Sequence, residues 1–235
     1  MVDRRAFLGG MRAGAKSVFL WLLLGTYLGL GALAHDLGFS LTWTLVATVL
    51  IWAGPTQLII TSMLGTSATT VEIAIAVTLS AVRLLPMVVS LLPLLRTPQT
   101  RFRQLILPAH LTAVSLWVEG QRLLPDIAPA NRVAFVNGFG AALTITAVVA
   151  VLSGYFMARE LPTALASALL FLTPLSFMMS LARNSRHLAD KLALVLGLLI
   201  APVMAFYKVE LDILWSGLLA GTLAFFAWRM RRSRA

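Results

Sequence analysis

Residues 51–60 read IWAGPTQLII, and their centre interrupts an apolar run that extends over residues 41–64. The interruption consists of Gly54, Pro55, Thr56 and Gln57. Proline lacks a backbone N–H and breaks the interior of a helix, and a glutamine amide is costly to place in hydrocarbon. A segment with the length and composition of a membrane helix therefore carries a break and polar groups at its middle, which is typical of a functional site.

The composition sets the class of protein. Of 235 residues, 59% are hydrophobic and 12% are charged, whereas soluble domains carry about 25% charged residues. The apolar residues form blocks of about 20, the length at which a helix crosses a bilayer. The sequence therefore predicts an all-α, polytopic membrane protein. The absence of cysteine excludes disulfides and thiolate metal sites.

The net charge of +10 is concentrated at both termini and in short loops. This placement is typical of the cytoplasmic flanks of membrane helices, so we expect the lipid bilayer as a partner and no nucleic acid. Both basic termini are predicted to be cytoplasmic, which requires an even number of crossings.

The apolar blocks predict a helical bundle of seven to eight membrane segments. The seven clear segments are Ser17–Ala34, Leu41–Leu64, Val71–Leu95, Val133–Met157, Leu161–Leu181, Leu188–Phe206 and Leu211–Trp228. An eighth, Leu105–Val118, is marginal in length, and an interfacial or re-entrant position is the alternative to a crossing. Either it completes an even number of crossings, or Leu41–Leu64 enters and leaves on the same side. The sequence leaves both alternatives open.

An internal repeat is predicted from two similar interrupted segments, residues 44–64 and 164–181. Each has an apolar half, a proline break with polar neighbours, and a second apolar half. The repeat halves would cover about 17–95 and 133–206, followed by a final span at 211–228, within one transport domain over residues 1–235. Interrupted helices at matching positions in two halves indicate a transporter binding site.

The two proline breaks predict half-helices that begin inside the membrane. Gly54-Pro55 and Thr173-Pro174 each have the pattern of a cap residue followed by the first residue of a helix. Free N–H groups and the helix dipole there favour an anion, such as the carboxylate of an amino acid. A proline kink satisfied by neighbouring helices is the alternative. The predicted substrate-binding residues are Gly54, Pro55, Thr56, Gln57, Thr173 and Pro174, which would face one cavity near the bilayer midplane.

Arg83 is the one charged residue well inside a predicted span, and it joins the predicted substrate-binding set. An arginine at the membrane centre costs at least ~2.5–3.5 kcal/mol, so it needs a role, either in binding substrate or in locking helices together. The three histidines have no metal-ligand spacing. No acidic pair, zinc motif or phosphate-binding loop is present, so we expect no catalytic residues, no metal and no cofactor.

The order of these motifs resembles the AzlC-type branched-chain amino acid exporter family, large subunit. The glycine-rich stretch at residues 7–40 is similar to the opening span of that family. AGPTQLI, through Ala53, Gly54 and Gln57, is similar to its Ala-Gly-x-x-Gln signature, and SAVRLLPMVVSLLP resembles its arginine-bearing span through Arg83.

The chain departs from the pattern of that family at several positions. Ala81 and Leu84 replace an Asn and a His that flank the arginine, and Ala113 and Val114 replace an Asp-Glu pair. The resemblance is therefore to a divergent member of the family, without the acidic pair at positions 113 and 114.

The resemblance implies an exporter of small hydrophobic amino acids (Leu, Ile, Val or Met), driven by an ion gradient. It implies a small AzlD-type membrane subunit as partner and a bacterial cytoplasmic (inner) membrane location. A homo-oligomer is left open. The alternatives are export of another small solute, or a non-transporting membrane scaffold or assembly subunit.

Overall fold

The computed structural model describes residues 4–65, 68–158, 188–207 and 212–232, together with single residues between 160 and 171. The α-helices in these ranges are α1 (Arg4–Lys16), α2 (Val18–Asp36), α3 (Leu41–Ile51), α4 (Gly54–Gly65), α5 (Thr70–Ala81), α6 (Leu84–Leu95), α7 (Phe102–Leu111), α8 (Val114–Leu123), α9 (Arg132–Met157), α10 (Leu188–Phe206) and α11 (Asp212–Arg232). Short 3₁₀ turns at Leu124–Asp126 and Pro129–Asn131 connect α8 to α9. The described residues contain no strand, and the all-α prediction is confirmed.

The predicted number of seven to eight membrane segments is not confirmed. Within the described ranges, four helical segments are long and apolar enough to cross a membrane: Val18–Asp36, Thr70–Leu95, Pro129–Met157 and Ala189–Phe206. The predicted span Leu161–Leu181 lies largely outside the described residues.

Contacts divide the chain into two units, Met1–Thr173 and Pro174–Ala235. In the second unit α10 and α11 pack against each other, and a Cβ on Gly197 would lie 4.0 Å from that of Ala220. The remainder of the fold description concerns the first unit.

Helices α1 and α2 pack along α9 in the same direction, with backbones in close contact. Gly10 lies against Phe135 and Gly31 against Val151, so the contacted residue advances along α9 as the chain advances along α1 and α2. On α9 itself, Gly154 lies against the carbonyl of Leu28. Small residues allow membrane helices to approach this closely.

Helices α3 and α4 form a hairpin. Between them Trp52 has a φ of 41°, in the left-handed region, and the chain turns there. In a continuous helix, Gln57 would lie about 13 Å beyond Thr48 along the axis, yet its amide nitrogen is 2.9 Å from the Thr48 hydroxyl. At the other end a Cβ on Gly65 would lie 2.7 Å from a methyl of Leu37, just before α3. The segment therefore returns to the end from which it started, in agreement with the re-entrant alternative for Leu41–Leu64.

Helices α5 and α6 form one long segment with a bend at Val82–Arg83. Pro86 has no N–H for the carbonyl of Val82, and the N–H of Leu85 donates to it instead, at 3.2 Å. The bend is therefore a proline effect, and it places Arg83 at the junction of the two helices.

Helices α7 and α8 divide the segment Leu105–Val118 into two, in agreement with the re-entrant alternative for this segment. The break lies at Thr112 and Ala113. Pro108 inside α7 lacks a donor, and the Thr112 hydroxyl donates to the Pro108 carbonyl at 2.7 Å, which favours termination of α7 at Leu111.

Helix α8 then runs back beside α6. Trp117 bonds Ser90, and Gly120 lies against Leu91, so both helices advance in the same direction. The guanidinium of Arg132 donates to the carbonyls of Ile127 and Leu94, which joins the start of α9 to the end of α6. Because α7 starts shortly after α6 ends, the α7–α8 pair also leaves at the end where it entered.

The two helix pairs therefore enter from opposite ends of the first unit. The α3–α4 pair starts where α2 ends, the α5–α6 segment then runs to the other end, and the α7–α8 pair starts there. We name these pairs hairpin 1 (residues 41–65) and hairpin 2 (residues 102–123).

Candidate functional site

The tips of the two hairpins meet. The indole Nε1 of Trp52, at the tip of hairpin 1, donates to the carbonyl of Leu111, the last residue of α7, at 2.9 Å. One turn away, His110 Nε2 donates to the carbonyl of Val49 at 2.9 Å. The first of these bonds is buried, and the Leu111 carbonyl also accepts the N–H of Ala113 at 3.0 Å, so the bond from Trp52 contributes about 0.5–1.5 kcal/mol.

The tip contact lies near the middle of the long helices. Tyr27, the tenth of nineteen residues in α2, stacks on Trp52 with ring centroids 6.4 Å apart. Ser80, near the middle of the segment Thr70–Leu95, contacts Thr56 of α4. The tips therefore lie close to half the depth of the bundle, where the sequence predicts the break.

A new helix, α4, begins directly after the break in hairpin 1. The N–H of Gln57 donates to the carbonyl of Ala53 at 2.8 Å, so Ala53 is the cap residue, Gly54 the first residue of the helix and Pro55 the second. The predicted cap is thus one residue too late, but the predicted break is confirmed. Among the described residues, none accepts a hydrogen bond from the N–H groups of Gly54 or Thr56.

Gln57 lies fully buried at the centre of this turn. Its amide nitrogen donates to the Thr48 hydroxyl at 2.9 Å and is 3.4 Å from the Thr44 carbonyl. Its carbonyl oxygen, and the hydroxyl of buried Thr61 one turn further along α4, have no hydrogen-bond partner among the described residues. The hairpin thus holds polar oxygens at a depth where an unsatisfied polar group is costly.

Arg83 is linked to this turn through α5. The hydroxyls of Thr56 and Ser80 are 3.0 Å apart, and Arg83 follows Ser80 by three residues, on the same side of the segment. Arg83 is half-buried at the bend before α6. It therefore belongs to the region around the tips, adjacent to the first turn of α4.

The structure brings together Gly54, Pro55, Thr56 and Gln57 in one turn, with Arg83 on the neighbouring segment. The side chains of Thr56 and Gln57, predicted to bind substrate, already contact Ser80 and Thr48, and the carbonyl oxygen of Gln57 is what stays unpaired. Thr173 and Pro174 lie outside the described residues. A cavity shared by the two proline breaks therefore stays a prediction.

Several residues of the site were not predicted from the sequence, among them Tyr27, Trp52, Thr61 and Leu111. One signal was present for Thr44 and Thr48, two hydroxyl residues one helical turn apart in a largely apolar helix. Ala113 and Val114, which replace the acidic pair of the family pattern, fall at the tip of hairpin 2. That tip therefore receives no carboxylate from these two positions.

The chemistry available at the tips is that of binding. Donors from the backbone, neutral oxygens and one arginine are present. No cluster of three or more metal-ligating side chains occurs in the described ranges.

Comparisons with known proteins give a family and no individual relative. No curated protein and no solved structure matches the chain. The family model described as AzlC protein matches residues 19–161, more than half of the chain, and this range contains both hairpins and the helices around them. The chain therefore belongs to the AzlC family, and it is a multi-pass membrane transport protein.

Proposed function

We propose that the protein is the large subunit of a two-component exporter of small hydrophobic amino acids of the Leu, Ile, Val and Met class. The exporter would be driven by an ion gradient and would work with a small AzlD-type subunit in the bacterial cytoplasmic (inner) membrane. Its substrate would bind at the tips of the two hairpins, with its carboxylate at the start of α4.

The observation that carries this proposal is the meeting of two opposed hairpins around polar groups at half depth. Half-helices that end near the midplane, in two repeats of opposite direction, are a recurrent construction of secondary transporters. Hairpin 1 followed by the α5–α6 segment, and hairpin 2 followed by α9, have this opposed arrangement. Movement of one hairpin against the other would expose the tips to one side at a time.

The hydrogen-bond donors and the positive charge near the hairpin tips suit the carboxylate end of an amino acid. The N–H groups of Gly54 and Thr56 point out of the start of α4, where the helix dipole favours negative charge. Arg83, close to the same turn, would add a full positive charge. The aromatic rings of Tyr27 and Trp52 lie in the same region, and their faces suit contact with an aliphatic side chain.

The charges of the first unit support an orientation. One end of this unit, where α1 and α9 begin, carries the basic residues Arg4, Arg5, Arg96, Arg101, Arg103, Arg122 and Arg132. At the opposite end, the helix end at Asp36 and the helix start at Glu72 carry acidic residues. The positive-inside rule then makes the basic end cytoplasmic. We propose that both termini are cytoplasmic, as their own basic residues also favour.

The proposal is tested by transport. Cells or proteoliposomes that contain the full chain, with and without the small subunit, are loaded with radiolabelled leucine, and its efflux is measured. We expect efflux only when both subunits are present, and inhibition by unlabelled isoleucine, valine and methionine. If another solute is exported and leucine is not, the proposed substrate class is wrong. If no tested solute is exported, a role as a membrane scaffold is favoured over transport.

Arg83 provides the residue-level test. Arg83→Ala is expected to abolish leucine efflux, whether the guanidinium binds the substrate carboxylate or a required helix. Arg83→Lys keeps the charge but loses the planar fork, so we expect partial activity. Wild-type efflux from Arg83→Ala at equal membrane abundance would contradict a role for this residue.

A further inference from the structure

We infer that the carbonyl oxygen of Gln57 and the hydroxyl of Thr61 form an acceptor site for the ammonium group of the transported amino acid. This inference rests on the proposed function and adds to it the recognition of the second charged end of the substrate. Backbone carbonyls at the tip of hairpin 1 are the other acceptors near this turn. The Ala53 carbonyl, however, accepts the N–H of Gln57, and the Val49 carbonyl accepts from His110.

The orientation of the Gln57 amide is fixed by its neighbours. The Thr48 hydroxyl donates its single hydrogen to the Thr44 carbonyl at 2.8 Å, so it can only accept from Gln57. The Thr44 carbonyl is an acceptor as well. Both neighbours therefore require the NH₂ group of Gln57, and the carbonyl oxygen of the amide must face away from them.

Two oxygens are left over on one face of α4. Thr61 follows Gln57 by four residues, so their side chains are neighbours on the helix. Both residues are fully buried, and neither oxygen has a hydrogen-bond partner among the described residues. By contrast, the hydroxyls of Thr44, Thr48 and Thr56 are all bonded. A buried oxygen without a hydrogen-bond partner has a high free-energy cost, which indicates that a donor group forms hydrogen bonds with these oxygens during the transport cycle.

The chemistry of the missing partner is that of an ammonium group. It carries three N–H donors and no acceptor, so it can donate to both oxygens at once, whereas a carboxylate could accept from the Thr61 hydroxyl but would be repelled by the carbonyl oxygen of Gln57. Two neutral oxygens are too few for a hard metal cation such as Ca²⁺ or Mg²⁺, which takes about six or more ligands. The oxygens are sealed from solvent in this arrangement, so the amine reaches them only when the hairpin tips separate.

The experiment separates the two ends of the substrate. Leucine counterflow is measured in proteoliposomes of the full chain with its small subunit, with two competitors that each keep one end. Isoamylamine has the amine without the carboxylate, and 4-methylpentanoate has the carboxylate without the amine. For Thr61→Val, which has the same shape but no hydroxyl, we expect inhibition by isoamylamine to weaken about tenfold or more. Inhibition by 4-methylpentanoate should stay unchanged.

Two control variants make the result specific. Thr61→Ser restores the hydroxyl and should recover inhibition by the amine. Thr78→Val is the same substitution on an exposed residue whose hydroxyl bonds the Ala74 carbonyl of its own helix, and it should change neither competitor. Equal weakening of both competitors by Thr61→Val, or no change for either, would overturn the ammonium site.

A failure of the proposed function is recognised separately. If the wild-type protein does not exchange leucine, the substrate class is wrong. The site is then tested by the thermal unfolding midpoint in detergent, with and without isoamylamine. A rise for the wild type that is absent in Thr61→Val supports an amine site, and identical behaviour of the two proteins refutes it.

Discussion

The packing of α1 against α9 makes a sharp prediction for two adjacent glycines. A Cβ on Gly10 would lie 2.0 Å from the carbonyl oxygen of Phe135 and 2.9 Å from the backbone nitrogen of Phe139. On Gly9, the nearest atom to such a Cβ is a ring carbon of Phe135 at 4.0 Å, an ordinary contact. Gly10→Ala should therefore disrupt the contact between α1 and α9, and Gly9→Ala should leave it intact.

The expected magnitude follows from that geometry. The atoms that block Gly10 belong to the backbone of a helix, so they cannot rotate away, and the two helices must separate by more than an ångström. Overpacking of this kind costs about 1–3 kcal/mol, and the absence of a flexible neighbour favours the upper part of this range. Both variants gain about 1 kcal/mol of helix propensity. That gain cancels in their difference, which leaves about 3 kcal/mol for the clash.

Thermal unfolding of the purified full chain in detergent measures this difference. For a chain of this size, 3 kcal/mol corresponds to about 6–12 °C between the unfolding midpoints of Gly10→Ala and Gly9→Ala. If α1 detaches locally, amide hydrogen exchange over Arg4–Lys16 should instead be fast in Gly10→Ala and slow in Gly9→Ala. Equal midpoints together with equal exchange would show that the backbones of α1 and α9 are not in contact.

Two further predictions concern the hairpins. Trp52→Phe keeps the stacking on Tyr27 but removes one of the two donors to the Leu111 carbonyl, which retains the N–H of Ala113, so it should lower the free energy of unfolding by about 0.5–1.5 kcal/mol. Trp117→Phe, which loses an exposed indole bond, should cost less than half of that, and equal costs would contradict a buried tip contact. Because the chain has no cysteine, single introduced cysteines report the topology directly. Ser40→Cys and Thr69→Cys, at the two ends of hairpin 1, should react with a membrane-impermeant maleimide from one side of the membrane, whereas Gln99→Cys should react from the other. Labelling of positions 40 and 69 from different sides would mean that residues 41–65 cross the membrane.

Most of the class and part of the site could be predicted from the sequence because their causes are local. The apolar blocks and the low charge content indicate membrane helices wherever those residues lie. The start of α4 could be located to within one residue, since proline is excluded from a helix interior and tolerated in its first turn. The spacing of Ala53, Gly54, Gln57 and Arg83 was sufficient to suggest the family that residues 19–161 match.

The direction of the chain after each break was decided by tertiary structure alone. A proline break permits a kink, a crossing or a return, and the return of hairpin 1 is fixed by contacts such as that between Leu37 and Gly65. The meeting of the tips joins Trp52 and Leu111, which are 59 positions apart, and no local pattern encodes such a pair. The unpaired oxygens of Gln57 and Thr61 likewise follow from side-chain orientation in the folded hairpin. The sequence determined where hairpin 1 is interrupted, because that depends on the backbone chemistry of Gly54 and Pro55 themselves. Only the packed structure decided what the interruptions face, because that depends on which distant segments lie beside them.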